Sequence, residues 1–322
     1  MIAEKVQKTT QKKEIEIKKS CPCSTSQLLV IVIPTFILLL FTVIFVPVYV
    51  SKHKNKDKPN NATNINEIEE FDNFTEYIAN LSYATLTPIN GYDYIYIHLG
   101  GITELAGYFF KFFESNSTFI PKGTKIYYLS GKLRQTKYTE DSFFGIPIPV
   151  PSWINVDREG NLICEGCSDQ FDEAKESLNF ILDKIDQIKN EENIDYDKIY
   201  LGGFSQGGIM VNYVLLNSRH KLGGYLAFSG YVFDHHFPPN TVLTELNDEQ
   251  KQILESKKDY HILATHSFND DSVFYPKIIE AYYTYYKDYS DFKLLSFGEL
   301  GHEFDTQPIH PYVRKWLKES MV

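Results

Sequence analysis

Hydrophobic and polar positions divide the 322-residue chain into three regimes. Leu28 to Val50 is one apolar run without a charged residue. Around it the chain is polar: residues 1–27 are rich in lysine, and residues 51–85, beginning SKHKNKDKPNNATNINEIEE, are rich in lysine and asparagine. From about residue 90 short apolar runs alternate with amphipathic stretches. YDYIYIHL, TKIYYLS, KIYLGGF, GGYLAFSG, YHILATH and FKLLSF predict strands. TELAGYFFKFF, VFYPKIIEAYYTYY and the chain from about Pro308 predict helices. The longest helix is expected over DQFDEAKESLNFILDKIDQIKNEE, with Phe171, Ala174, Leu178, Ile181, Leu182, Ile185 and Ile188 on its apolar side. Alternation of strand and helix predicts a mostly parallel, doubly wound sheet. Sites in such sheets lie at the carboxyl ends of the strands.

The apolar run bears on where this domain sits. Its 23 residues would span about 35 Å as a helix, enough for a bilayer core. A cleaved signal peptide fits less well, because the run and the arm before it are too long. Four domains follow: an arm (1–27), a single transmembrane anchor (28–50), a polar stalk (51–85) and an α/β domain (86–322). Lysines flank both sides of the anchor, so the positive-inside rule does not orient it. Asn61, Asn73, Asn80 and Asn116 stand in N-x-[ST] sequons, and none of the ten asparagines after residue 120 does. That clustering predicts a single-pass, N-in, C-out glycoprotein with its folded domain in the secretory lumen or outside the cell. The stalk reaches roughly 30–35 Å if flexible.

Charge and cysteines narrow the picture. The net charge is −10, and residues 1–27 carry +3 of it, which leaves −13 for the rest and argues against a nucleic-acid partner. Cys21 and Cys23 precede the anchor and are either lipidated or reduced thiols. Cys164 and Cys167 form one C-x-x-C, which reads as a small disulfide or two thiols rather than a zinc site. His235-His236 lacks a third metal ligand and reads as a surface loop.

Candidate chemistry centres on Gly203-Phe204-Ser205-Gln206-Gly207. A G-x-S-x-G turn between strand and helix projects the serine hydroxyl above the sheet, and the next amide points into the site as an oxyanion donor. An ordinary glycine turn has the same letters, so partners decide. Asp270 and Asp271 follow the strand YHILATH, and His302 follows FKLLSF. Ser, Asp, His is the order of an α/β-hydrolase triad. A second oxyanion donor is expected from IHLGGI, residues 97–102, where His98 reads as structural.

Together LGGFSQGG, PSW at 151–153, THSFNDD and Gly301-His302 resemble the phospholipase/carboxylesterase family of α/β-hydrolases, which includes acyl-protein thioesterases and lysophospholipases. The resemblance runs from about residue 90 to the C-terminus. It implies an α/β-hydrolase fold, a triad of Ser205, Asp270 and His302, an oxyanion hole of the Gly100 and Gln206 amides, and no metal or organic cofactor. The family's H-G-x-G-D becomes His98-Leu99-Gly100-Gly101-Ile102 here, and its G-D-x-D-P becomes Ser267-Phe268-Asn269-Asp270-Asp271.

The resemblance also suggests that the segment up to Trp153 borders the acyl site. SFFGIPIPVPSW (142–153) is uncharged, and its prolines exclude a regular helix. Phe143, Phe144, Ile146, Ile148 and Trp153 are expected to wall the acyl chain, unless the loop packs them into the core. The expected function is a membrane-anchored serine hydrolase of acyl esters, thioesters or lysophospholipids. The alternative is a catalytically silent binding domain of the same fold.

Overall fold

The computed structural model describes residues 74–79, 82–107, 119–142, 145–146, 148–156, 168–218, 220–232, 246–273, 275–298, 301–304 and 309–321. All of them fall in the compact unit Glu69–Val322. The apolar run 28–50, Asn61, Asn73, Asn80, Asn116, Phe143, Phe144, His235, His236 and the four cysteines lie outside the described residues. Among the described residues no helix is long and apolar enough to cross a membrane.

The strands are β1 (Phe74–Ala79), β2 (Tyr83–Pro88), β3 (Tyr94–Leu99), β4 (Thr124–Leu129), β5 (Lys132–Gln135), β6 (Pro149–Ser152), β7 (Ile199–Phe204), β8 (Gly224–Phe228), β9 (His261–Ser267) and β10 (Asp291–Phe297). Eight form one sheet in the order β1-β2-β4-β3-β7-β8-β9-β10, while β5 and β6 pair separately. β1–β2 and β2–β4 are antiparallel, and every other neighbour in the large sheet is parallel.

Period-two alternation sorts the sheet's side chains into two cores. Ile95, Ile97, Leu99, Leu129, Leu201 and Ala227 face one of them. Tyr96, Tyr128, Tyr200, Leu226 and Phe228 face the other. With both faces covered, a central strand has no solvent side, and every residue of β7 is buried. The helices are α1 (Lys137–Ser142), α2 (Ser168–Glu191), α3 (Gln206–Asn217), α4 (Asp248–Ser256), α5 (Tyr275–Tyr286) and α6 (His310–Ser320). α2, α3 and α5 pack on the first core and α6 on the second, through Val313, Trp316 and Leu317. α2 buries Ala174, Leu178, Ile181, Ile185 and Ile188, as its periodicity predicts, with Leu182 partly buried beside them. α3 is buried from Gln206 to Leu216, so its apolar residues do not form a single stripe.

Two expectations are corrected. The polar stalk does not extend to residue 85, because β1 and β2 belong to the large sheet. In β2 Ala84, Thr85 and Leu86 are buried, but they are too small and too mixed in polarity to stand out as a strand. The proline-rich segment is likewise not loop throughout, since Pro149–Ser152 pairs with Lys132–Gln135 in an antiparallel ribbon. Pro149 and Pro151 are two residues apart, so both missing N–H groups fall on the same edge, and Val150 lies between them.

Candidate active site

Ser205 occupies the turn between β7 and α3 with φ 53° and ψ −118°. A non-glycine residue with positive φ outside the ordinary left-handed region is strained, and such strain persists where surroundings over-determine it. Here the Ser205 N–H donates to Phe228 O of β8 at 2.8 Å, and the Ile209 N–H donates to Ser205 O at 3.0 Å. The turn is too tight for side chains at its bends. A Cβ on Gly207 would lie 2.0 Å from Leu99 O, and one on Gly203 would lie 2.5 Å from the Gly207 carbonyl.

His302 comes to this serine from the loop after β10. Its Nε2 is 2.8 Å from Ser205 Oγ. Its Nδ1 is 2.8 Å from Asp270 Oδ2. With a carboxylate as its neighbour Nδ1 carries the proton, which leaves Nε2 as the acceptor of the serine hydroxyl. Of the two aspartates the sequence left open, Asp270 is buried and faces His302, and Asp271 is exposed. Asp270 Oδ1 accepts from the N–H groups of Ser272 at 3.0 Å and Val273 at 2.7 Å. The two loops are tied by Asn269, whose Oδ1 accepts from Ser267 Oγ at 2.7 Å and from Gly301 N at 3.0 Å.

A second imidazole also reaches this aspartate. His266 Nε2 lies 2.9 Å from Val273 O and 3.3 Å from Asp270 Oδ2. Burial is the largest influence on it and lowers its pKa, so it is a neutral donor. Sequence patterning missed His266 and Asn269 because their partners lie across loops. His98, by contrast, is walled in by Tyr128 and Phe304, with ring centroids at 5.1 and 5.0 Å. Burial lowers its pKa to about 3, in keeping with the structural place expected for it.

The Gly100 amide expected to serve the oxyanion is engaged within the sheet. The Gly100 N–H donates to Leu129 O at 2.9 Å, continuing the β3–β4 ladder, and is therefore taken. The next amide, Gly101, stands two residues past the Leu99–Gly203 pair, as Ser205 does on the neighbouring strand. It donates to Glu104 Oε2 at 2.7 Å. The Gln206 amide is the first of α3, among the N–H groups a helix cannot satisfy internally. Its side chain is engaged elsewhere: Oε1 accepts from Trp153 N at 2.6 Å, and Nε2 donates to Ile154 O at 2.6 Å.

Trp153 is buried in the core, not exposed on a wall. Its Nε1–H donates to Gly100 O at 2.8 Å, so it fixes the loop that carries the Gly101 amide. Ile148 is partly buried, and Ile146 is among the exposed large hydrophobic side chains, as are Leu133 on β5 and Phe268 beside Asp270. Among the described residues no group of three His, Cys, Asp or Glu side chains is gathered to hold a metal.

Comparison with known proteins agrees with this architecture. The profile of the phospholipase/carboxylesterase family matches residues 146–310. Acyl-protein thioesterase 1 of Cryptococcus neoformans is 26% identical over 185 residues, covering 53% of this chain and 72% of the relative. A probable carboxylesterase SOBER1-like protein of Arabidopsis thaliana is 26% identical over 212 residues, covering 61% of this chain and 72% of the relative. Among solved structures, Zea mays acyl-protein thioesterase 2 superposes with a TM-score of 0.55 at 18% identity, covering 74% of this chain and 99% of that one. Arabidopsis thaliana SOBER1 gives a TM-score of 0.53 at 18% identity, covering 71% and 99%. The structural likeness establishes the α/β-hydrolase fold.

Proposed function

The chain belongs to the phospholipase/carboxylesterase family of hydrolases, and from that premise we propose that it cleaves acyl esters or thioesters with Ser205 as nucleophile. The observation that carries the reading is the continuous hydrogen-bond chain from Ser205 Oγ through His302 to Asp270, with both contacts at 2.8 Å. Ser205 Oγ attacks the acyl carbon while His302 Nε2 takes its proton. Asp270 keeps the imidazole in the required tautomer and stabilises its charged form. The Gln206 and Gly101 amides receive the developing oxyanion. His302 then protonates the departing alcohol or thiol, and water attacks the acyl-enzyme by the same route in reverse. The names of the relatives support thioesters and carboxylic esters as substrates; a lysophospholipid is an acyl ester of the same kind.

Ile146 and Ile148, with Phe143 and Phe144 of the same segment, form part of the wall for the acyl chain in this reading. Residues 28–50 anchor the domain to a bilayer, with the arm 1–27 on the cytosolic side and glycans at Asn61, Asn73, Asn80 and Asn116. The anchor rests on the uncharged 23-residue run, and the orientation rests on the clustered sequons.

Two measurements on the full chain test the reading. Purified protein should release free thiol from an S-acyl peptide, and p-nitrophenol from a p-nitrophenyl ester, in turnover that Ser205→Ala removes. No turnover of either substrate would contradict it. Protein made in a secretory pathway should gain mobility on treatment with peptide-N-glycosidase, and an unchanged mobility would overturn the orientation.

A further inference from the structure

The turn after β3 places a carboxylate on the amide that the chemistry assigns to the oxyanion. Gly101 to Glu104 form a turn in which the Glu104 N–H approaches Gly101 O at 3.4 Å. Its third residue, Thr103, has φ 70°, a conformation that a β-branched residue rarely adopts. The Thr103 N–H donates to Pro151 O at 2.9 Å, which holds the turn in place. The Glu104 side chain folds back over the loop, and its Oε2 accepts from Gly101 N at 2.7 Å and from Tyr128 Oη at 2.6 Å. A Cβ on Gly100 would lie 3.2 Å from the same oxygen, so the carboxylate rests against both glycines. An oxygen carrying negative charge on this N–H has the chemistry of the tetrahedral intermediate's own oxygen.

We propose that Glu104 is a rate-setting residue of the hydrolase site: its carboxylate holds the Gly101 N–H that the acyl oxygen must take, and substrate displaces it before the oxyanion hole is complete. The inference rests on the reading of Ser205 as nucleophile. Two titratable groups face Glu104 among the described residues. Tyr128 from β4 is kept neutral by burial, which raises its pKa well above the ordinary value, and by the carboxylate itself. His302, from the loop after β10, attracts the carboxylate when protonated. Burial is the largest influence on Glu104 and raises its pKa, against the hydrogen bonds from Tyr128 and Gly101 and the charge of His302. The ionised form binds the amide by a charge-assisted hydrogen bond and repels a second negative oxygen. The protonated form does neither. Competition is therefore weak in acid and grows as the carboxyl ionises.

The test is the pH dependence of kcat/KM for a p-nitrophenyl ester, measured on the full chain and on Glu104→Gln. The ratio of variant to wild type should be near one at acid pH and rise to roughly tenfold at alkaline pH, the order of one charge-assisted hydrogen bond. Glu104→Ala, which removes the acceptor altogether, should show the same rise. Tyr128→Phe removes a hydrogen bond that favours the ionised carboxyl, so in that background the rise should begin at higher pH. A ratio that stays flat with pH, or a loss of activity at every pH in both Glu104 variants, would overturn the proposal and leave Glu104 a support of the turn. Labelling of wild-type Ser205 by a fluorophosphonate separates the two failures. A labelled serine with a flat ratio sinks only the role of Glu104, whereas an unlabelled serine sinks the hydrolase reading beneath it.

Discussion

The Trp153 indole N–H donates to the Gly100 carbonyl at 2.8 Å, joining the segment after β6 to the loop that carries the Gly101 amide. The ring itself is buried in the core. Trp153→Phe keeps most of the packing and removes this bond. It should lower kcat by about 10- to 100-fold, the scale of a misplaced catalytic group, while one lost hydrogen bond costs about 1 kcal/mol of stability. Steady-state kinetics and thermal unfolding on the same samples check the split. A fall in stability with unchanged kcat would confine Trp153 to packing.

Asp270 and Asp271 are adjacent in sequence and unequal in place. Asp270 is buried with an oxygen 2.8 Å from His302 Nδ1, and Asp271 is exposed. Asp270→Asn should reduce kcat by about ten-thousandfold, the loss seen when a triad serine protease is left with the wrong histidine tautomer. Asp271→Asn should change it by less than about twofold, as surface substitutions do. Equal losses would mean that the loop, not the tautomer, is what Asp270 maintains.

Ile146 is exposed. If it belongs to the acyl wall, Ile146→Ser should weaken a long-chain ester much more than an acetate ester, because each methylene withdrawn from water contributes about 0.8 kcal/mol. A chain-length series of p-nitrophenyl esters reads this directly. An equal effect along the series would place the acyl chain elsewhere.

Acid should destabilise the fold through its buried histidines. Burial lowers the His98 pKa from 6.5 to about 3 and the His310 pKa to about 4. Below pH 6.5 the unfolded chain binds protons that the folded chain refuses. The contribution of these groups is therefore complete above 6.5 and is lost as pH falls towards 3 for His98 and towards 4 for His310. The thermal midpoint should drop across that window, and His98→Gln should flatten the drop while lowering the midpoint at neutral pH. A wild-type midpoint independent of pH between 6.5 and 4 would contradict this.

Much of the fold can be read from the sequence where local pattern and tertiary role coincide. α2 buries Ala174, Leu178, Ile181, Ile185 and Ile188, all on the side its periodicity marks. The turn at Ser205 can be read because Gly203 and Gly207 stand where a side chain would strike the backbone of the turn or of β3, and the glycines mark the turn in the sequence. What escaped depends on distant partners. β1 and β2 become strands by pairing at the antiparallel end of the sheet, with little apolar alternation of their own. Pro149 and Pro151 look like loop residues until β5 supplies an edge to pair with. Gly100 and Gly101 are chemically identical, and only Leu129, contributed by β4, decides which amide stays out of the ladder. Glu104 is an unremarked acid until a turn at Thr103 folds it over the glycines.

The central claim is that Ser205, paired with His302, is an activated nucleophile. The most direct measurement is incubation of the full chain with a fluorophosphonate probe, followed by peptide mapping. The account predicts one covalent adduct, on Ser205, formed by the wild type and lost in both Ser205→Ala and His302→Ala. An unlabelled Ser205 in folded protein, or an adduct on a different serine that survives Ser205→Ala, would contradict it.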